Sequence, residues 1–356
     1  MITETITSPV HIPVTGNLRR PLQTAFQRQN ERQQAKSLWL DSLELLETAE
    51  GVDLTKLAHF LNHLATIYEE RGDYAKTERL FRRLTRLVER TGLDPEMESL
   101  RPVVLRRLGS LYQAQGRHDE AESLLRRALV CATVKFGEQS KETAEVQHHL
   151  AMLQQERGKF DKAAKYYRRS LSIFEQTLGY TNSRVADIYH DLSCLERNRG
   201  NLVDAELHAR QALEIRMHVA GFLHPSVAAE MASLADLLAE QDKFDEAERL
   251  YRGAVGIIES ACGNEHYDIA NILARLAEIQ SARDSLAEAG RCLLRAITIK
   301  KKLLGVANLE VAQLRSELAA IYERQAHHDK TVGLPSNIRN VFEKVTKPIA
   351  LEETAR

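Results

Sequence analysis

The chain has 356 residues with 49 basic and 50 acidic side chains, a formal net charge of −1, so no uniform field draws it toward nucleic acid or an acidic membrane. Aromatics make up only 6% and prolines number eight, a composition that suits helices and one long repeat array over two or three ordinary domains. No apolar run approaches the ~18 residues of a membrane span, so no membrane insertion is expected.

In chain order, residues 1–20 mix β-branched residues with prolines and read as a disordered tail. Residues 21–51 look like a worn first unit, with Asn30 at a turn, Ala35 at a close contact, Trp39 and Leu45 in the core and Gly51 at the exit. That suits an N-terminal cap.

From residue 52 a repeat takes over. Gly116, Gly158 and Gly200 follow one another at 42-residue steps, and the same step reaches Asp242, Asp284 and Ala326. Gly72 lies 44 residues before Gly116, which implies a two-residue insertion in TGLDPEMESL. A second ladder runs through Gly137, Gly179, Gly221, Gly263 and Gly305 in the same register. Eight residues before each turn of the first ladder stands a leucine, from Leu64 to Leu318, with an aliphatic three residues later. The spacing predicts an apolar stripe on a helix A. Beside that leucine the residue is small (Ala65, Gly109, Ala151, Ser193, Ala235, Ala277, Ala319), and five residues after the turn comes another alanine (Ala121, Ala163, Ala205, Ala247, Ala289). Both predict close approach between helix A and a following helix B.

At the C-terminal end, helix A of the last unit is expected over Glu310–Arg324, with a turn near 326. Residues 327–356 are expected to supply a capping helix, started by Ser336 and running from Asn337 to Val345, and then a tail.

The segments HLATIYEERGDYAKTE and RLGSLYQAQGRHDEAESLLRRAL resemble the tetratricopeptide repeat. The usual unit is 34 residues. The longer unit here is similar to that of kinesin light chains and their bacterial relatives, as is the linker GFLHPSVA; GYTNSRVA, GNEHYDIA and GVANLEVA keep the Gly and Ala without the His-Pro. HEAT and armadillo repeats of similar length lack the turn seen in GDYAKT and GKFDKA. The resemblance implies an all-α fold, a right-handed α-solenoid of stacked helix-turn-helix repeats.

It also implies a function. In tetratricopeptide proteins the helix-A faces line a groove for a peptide or partner protein. Carried over position by position, the expected lining is Asn62 and Thr66, then Arg106, Ser110 and Gln113, then His148, Met152 and Gln155, then His190, Cys194, Arg197 and Asn198. Later units turn small and acidic, with Asp236, Ala239, Glu240, Glu278 and Ala282. Arg106, Gln113, Gln155, Arg197 and Asn198 are long donors suited to a peptide backbone or carboxylate, and Arg106, His148, His190 and Arg197 are expected at the centre.

Chemistry is not expected. No GxSxG, Walker A, GxGxxG or HExxH motif occurs, so no catalytic residue or cofactor is assigned. His59 and His63 lie at i, i+4, the spacing of a shared metal ion, but no clustered Cys or carboxylate completes a set, and no metal is assigned. His190 and Cys194 share a face as a nucleophile pair would, without an oxyanion hole. Paired arginines such as Arg126-Arg127 have acids one turn away, which favours a salt-bridged surface over nucleic-acid binding. The four cysteines stand singly, which suits a reducing, cytoplasmic setting. The expected role is a non-catalytic scaffold or adaptor; a ligand-sensing regulatory module is the alternative, ahead of an enzyme subunit or RNA-binding repeat. Oligomeric state cannot be read from the sequence.

Overall fold

A computed structural model of the chain describes residues 54–90 and 94–332, with side chains up to residue 327. The expected tail, the worn first unit with Trp39, and the capping helix from Ser336 lie outside the described residues. Those described form thirteen α-helices and no strand. The helices fall into two compact units, one ending at Glu138 and the other beginning at Gln139. The architecture is an all-α solenoid of helix-turn-helix repeats.

The first unit holds α1 (Leu54–Glu70), α2 (Tyr74–Arg90), α3 (Pro95–Ala114) and α4 (His118–Phe136). The second holds α5 (Lys141–Glu156), α6 (Phe160–Leu178), α7 (Ser183–Asn198), α8 (Leu202–Ala220), α9 (Pro225–Glu240), α10 (Phe244–Cys262), α11 (Tyr267–Ala282), α12 (Leu286–Leu304) and α13 (Leu309–Val332). Within each unit every helix packs on its chain neighbours, and successive A helices also touch, α1 with α3, α5 with α7 and α9 with α11.

Local chemistry explains the repeat length. A 16-residue helix A, a three-residue turn, a 19-residue helix B and a four-residue connection fill one 42-residue step. At the A-to-B turn Gly158 has φ +69°, its N–H bonds to the Gln155 carbonyl at 2.9 Å, and the Lys159 N–H reaches the Gln154 carbonyl at 2.8 Å. These two bonds make a Schellman motif, which closes the helix end and frees the chain to reverse. Asp242 (φ 58°) and Asp284 (φ 62°) hold the same conformation, which aspartate adopts at modest cost. The B-to-A connection is different. Gly179 sits at φ 85°, ψ 161°, a region open essentially only to glycine. The first ladder therefore tolerates aspartate, and the second keeps glycine at every step from Gly137 to Gly305.

Each A helix of the second unit then starts on a side-chain acceptor three residues past that glycine. Ser140, Asn182, His224, His266 and Asn308 each accept a backbone N–H from the first turn. Lack of the His-Pro pair in four of these five linkers thus leaves the capping function in place.

The small residues do the packing expected of them. Ala65, Ala151, Ala235 and Ala277 are buried, as are Ala121, Ala163, Ala205, Ala247 and Ala289. At Gly109 a Cβ would stand 2.9 Å from Leu125 Cγ, so α3 and α4 meet there more closely than a side chain permits. At the far end the structure departs from the expected ladder: α13 runs through Ala326 to Val332, without a turn near 326. Alanine strongly favours helix and pays a Cβ penalty in the left-handed region, so nothing stops the helix there.

Candidate partner-binding groove

The groove positions fall on A helices of both units, and each unit is described in turn. In the first, α1 carries Asn62 and Thr66 and α3 carries Arg106, Ser110 and Gln113. Asn62 and Thr66 are already engaged. Arg107 donates from Nη1 to Asn62 Oδ1 (3.0 Å) and Thr66 Oγ1 (2.8 Å), and from Nη2 to Glu69 Oε2 (2.5 Å). The same guanidinium lies over the Phe81 ring at 4.8 Å. Arg106 is half-buried, and its carbonyl accepts from Ser110 Oγ at 3.1 Å. Gln113 is 8% exposed, so little of it is open to a ligand.

In the second unit α5 carries His148, Met152 and Gln155, and α7 carries His190, Cys194, Arg197 and Asn198. His148 Nε2 pairs with the Asp191 carboxylate of the next A helix, and its ring lies 5.7 Å from that of Tyr167. Tyr167 in turn donates to Gln155 Oε1 at 2.9 Å. Burial pushes the Tyr167 phenol far up, aided by Asp191, Cys194 and Glu156, so it stays protonated and able to donate. Met152 is half-buried against the core, and Asn198 is exposed.

His190 has two acceptors. Its Nδ1 faces Glu230 Oε2 at 2.8 Å and its Nε2 faces Cys194 Sγ at 3.7 Å. The bonds to Cys194 and then Glu230 outweigh burial and lift its pKa to about 11, so the ring is a cation with both N–H groups donating. Glu230 is nearly buried and is also reached by Arg216 (3.3 Å), which pairs with Asp187 at 2.7 Å. Arg197 pairs with Glu240 on α9, through Nε at 2.9 Å and 3.1 Å.

These pairs alter one expectation. His190 and Arg197 are not bare donors waiting for a ligand carboxylate, because acids on the next A helix already meet them. Sequence reasoning missed those partners, Asp191, Glu230 and Arg107 among them. A signal exists: His148–Asp191, Arg197–Glu240, Tyr267–Glu310 and Ser281–Arg324 are all 43 residues apart, one repeat plus one.

The later A helices hold open space. A cavity of about 300 Å³ is lined by Arg197, Asp236, Glu240, Tyr251, Arg275 and Glu278, together with Ala239 and Ala282. Asp236 accepts from the Tyr251 hydroxyl, and Arg275 lies 3.6 Å from Glu278. Elsewhere His59 pairs with Glu96 at 2.9 Å, and among the described residues no cluster of three metal-ligating side chains occurs. The four cysteines are unbridged, and no described helix is long and apolar enough to cross a membrane.

A sequence model of the tetratricopeptide repeat matches residues 100–176, 142–217 and 227–302. No curated protein matches the chain. Among solved structures, BtubC (BKLC) from P. vanneervenii is 23% identical with a TM-score of 0.55, covering 66% of this chain and 92% of its own. A Podospora anserina protein of kinesin light chain type with nearly identical TPR-like repeats is 23% identical with a TM-score of 0.52, covering 60% of this chain and 99% of its own. The apo form of RapI has a TM-score of 0.57 at 14% identity, covering 79% of this chain and 95% of its own. At these identities the likeness is one of fold.

Proposed function

The chain belongs to the tetratricopeptide repeat family, and from that premise we propose that it is a non-catalytic scaffold which holds a peptide or partner protein on its helix-A faces. The observation that carries the reading is the cavity over α7, α9 and α11, whose lining includes Arg197, Asp236, Ala239, Glu240, Glu278 and Ala282. Alanines there leave room for a bulky ligand side chain. Three carboxylates against two guanidiniums favour a ligand that brings donors, such as backbone N–H groups or a basic side chain, over a bare carboxylate.

The Arg197–Glu240 pair does not obstruct this. Both side chains are 39% exposed, and exposed pairs are worth only about 0–1 kcal/mol, so a ligand can exchange either partner. The His190–Glu230 contact is better enclosed and is assigned a supporting role. Arginines of the B helices face acids, Arg126 with Glu122 and Arg210 with Glu206 and Glu246, which supports a protein partner over nucleic acid. The single cysteines support a cytoplasmic setting.

A charge swap tests the reading. Arg197→Glu with Glu240→Arg keeps the pair but inverts its polarity, so helicity and melting temperature should hold. Capture of the wild-type protein's partners from a source-cell extract should fall at least tenfold in the swap. Undiminished capture would place binding elsewhere. A thermal-shift screen with small metabolites addresses the ligand-sensing alternative, because a ligand that binds only the native state raises the midpoint.

A further inference from the structure

A second cavity, of about 750 Å³, shares no lining residue with the one over α7, α9 and α11. Tyr180 on the α6–α7 connection, Tyr189 on α7, Glu214, Met217 and His218 on α8, and Phe222 on the α8–α9 connection line it. Tyr180 is 71% exposed and Phe222 68%. They occupy the same place in successive repeats, one residue past Gly179 and Gly221. The other repeats put Glu138, Asn264 and Val306 there, so the aromatic pair is peculiar to this cavity. Leaving two large rings in water is unfavourable for a monomer and marks an interaction surface.

A carboxylate stands beside them. Glu214 is exposed and has no hydrogen bond or ion pair to any described residue. Glu206, Glu246, Glu248 and Glu259 on the B helices of this unit are in ion pairs, whereas Asp204 at the start of α8 is, like Glu214, exposed and in none. Tyr189 donates its hydroxyl to Glu175 at 3.1 Å, and its half-buried ring, 5.8 Å from that of His208, forms part of the cavity wall. Aromatic faces next to an uncompensated carboxylate match one chemical group especially well. A guanidinium is planar, stacks on rings and presents two parallel N–H donors to a carboxylate.

We propose that this cavity is a docking site for an arginine side chain of a partner polypeptide, its guanidinium stacked between the Tyr180, Tyr189 and Phe222 rings and paired with Glu214. The site is independent of the helix-A groove, with which its lining shares no residue.

The probe is Nα-acetyl-arginine methylamide, titrated into the full chain carrying 13C-methyl methionine, with capped citrulline as the uncharged isostere. The Met217 methyl should shift saturably with the arginine probe and at least fivefold more weakly with citrulline. Glu214→Gln should erase that difference, and Tyr180→Ala with Phe222→Ala should weaken the arginine probe by roughly twofold to thirtyfold. Both rings are exposed, so these variants should keep the wild-type melting temperature; should the double variant unfold, Glu214→Gln decides alone. Equal response to citrulline, an unchanged Glu214→Gln, or a silent Met217 methyl in the wild type overturns the proposal. So does sedimentation showing a dimer that Phe222→Ala dissociates, because a second copy then covers the patch.

Discussion

At the scale of single residues, the two glycine ladders look alike in sequence but obey different rules. Gly158 is left-handed and Gly179 lies where only glycine is comfortable, and in both cases a Cβ would meet no atom within 4 Å. Any penalty therefore comes from the backbone. Gly158→Asp should lower stability by about 1 kcal/mol or less, because Asp242 and Asp284 show the conformation is accessible. Gly179→Asp should cost clearly more, about 2–3 kcal/mol, in parallel denaturant titrations. Equal costs would mean that the ladder difference is accidental. The groove histidine gives a second residue-scale prediction. With its pKa raised to about 11, His190 gains stability from its partners fully below its unfolded value near ~6.5, and this fades as pH climbs through the folded value. Its ring protons should not titrate between pH 5 and 9 in the folded protein, and Glu230→Gln should bring a titration into that window. The sequence placed His190 and Cys194 on one face; it did not reveal Glu230, because that contact depends on how two A helices stack.

At the scale of elements, helix boundaries were legible because each is set by a residue with few conformational choices or by a side-chain cap. The exception is instructive. Counting by 42 expects a turn at 326, but the ladder residue there is Ala326, and α13 continues. The step was real and the local chemistry overrode it. Adjacent B helices are joined by ion clusters that hydrophobic periodicity does not report. Glu206 on α8 meets Arg210, Lys243 and Gln241. Burial works to raise its pKa, yet these partners hold it at about 2. Its contribution is present above its unfolded value and is lost as pH falls from about 4.5 toward 2. Glu206→Gln should destabilise the chain by about 1–3 kcal/mol at neutral pH and shrink the acid-induced loss over that window, read by melting temperature against pH. An unchanged acid profile would show the cluster to be dispensable.

At the scale of the whole molecule, a repeat array is held together by nearest-neighbour faces, so its parts are interchangeable in a way that a globular core is not. Removing residues 201–242 deletes one full step and preserves the succession of turn, helix B, connection and helix A. That deletion should keep the helicity per residue and lower the melting temperature, whereas removing half a step should abolish cooperative melting. The helix-turn-helix unit was readable from spacing, and the solenoid from the family resemblance. The proposed groove could be given only as positions, because which side chains pair between A helices depends on the one-residue offset between stacked repeats. The central claim is that a partner is held on those faces, and site-specific photo-crosslinking tests it most directly. A benzophenone amino acid at Asn198, exposed on α7, should crosslink one defined polypeptide in the source cell, and Arg197→Glu with Glu240→Arg should abolish that product. The same probe at Val203, exposed at the start of α8, serves as the control. A defined product from Val203 and none from Asn198 would contradict the account.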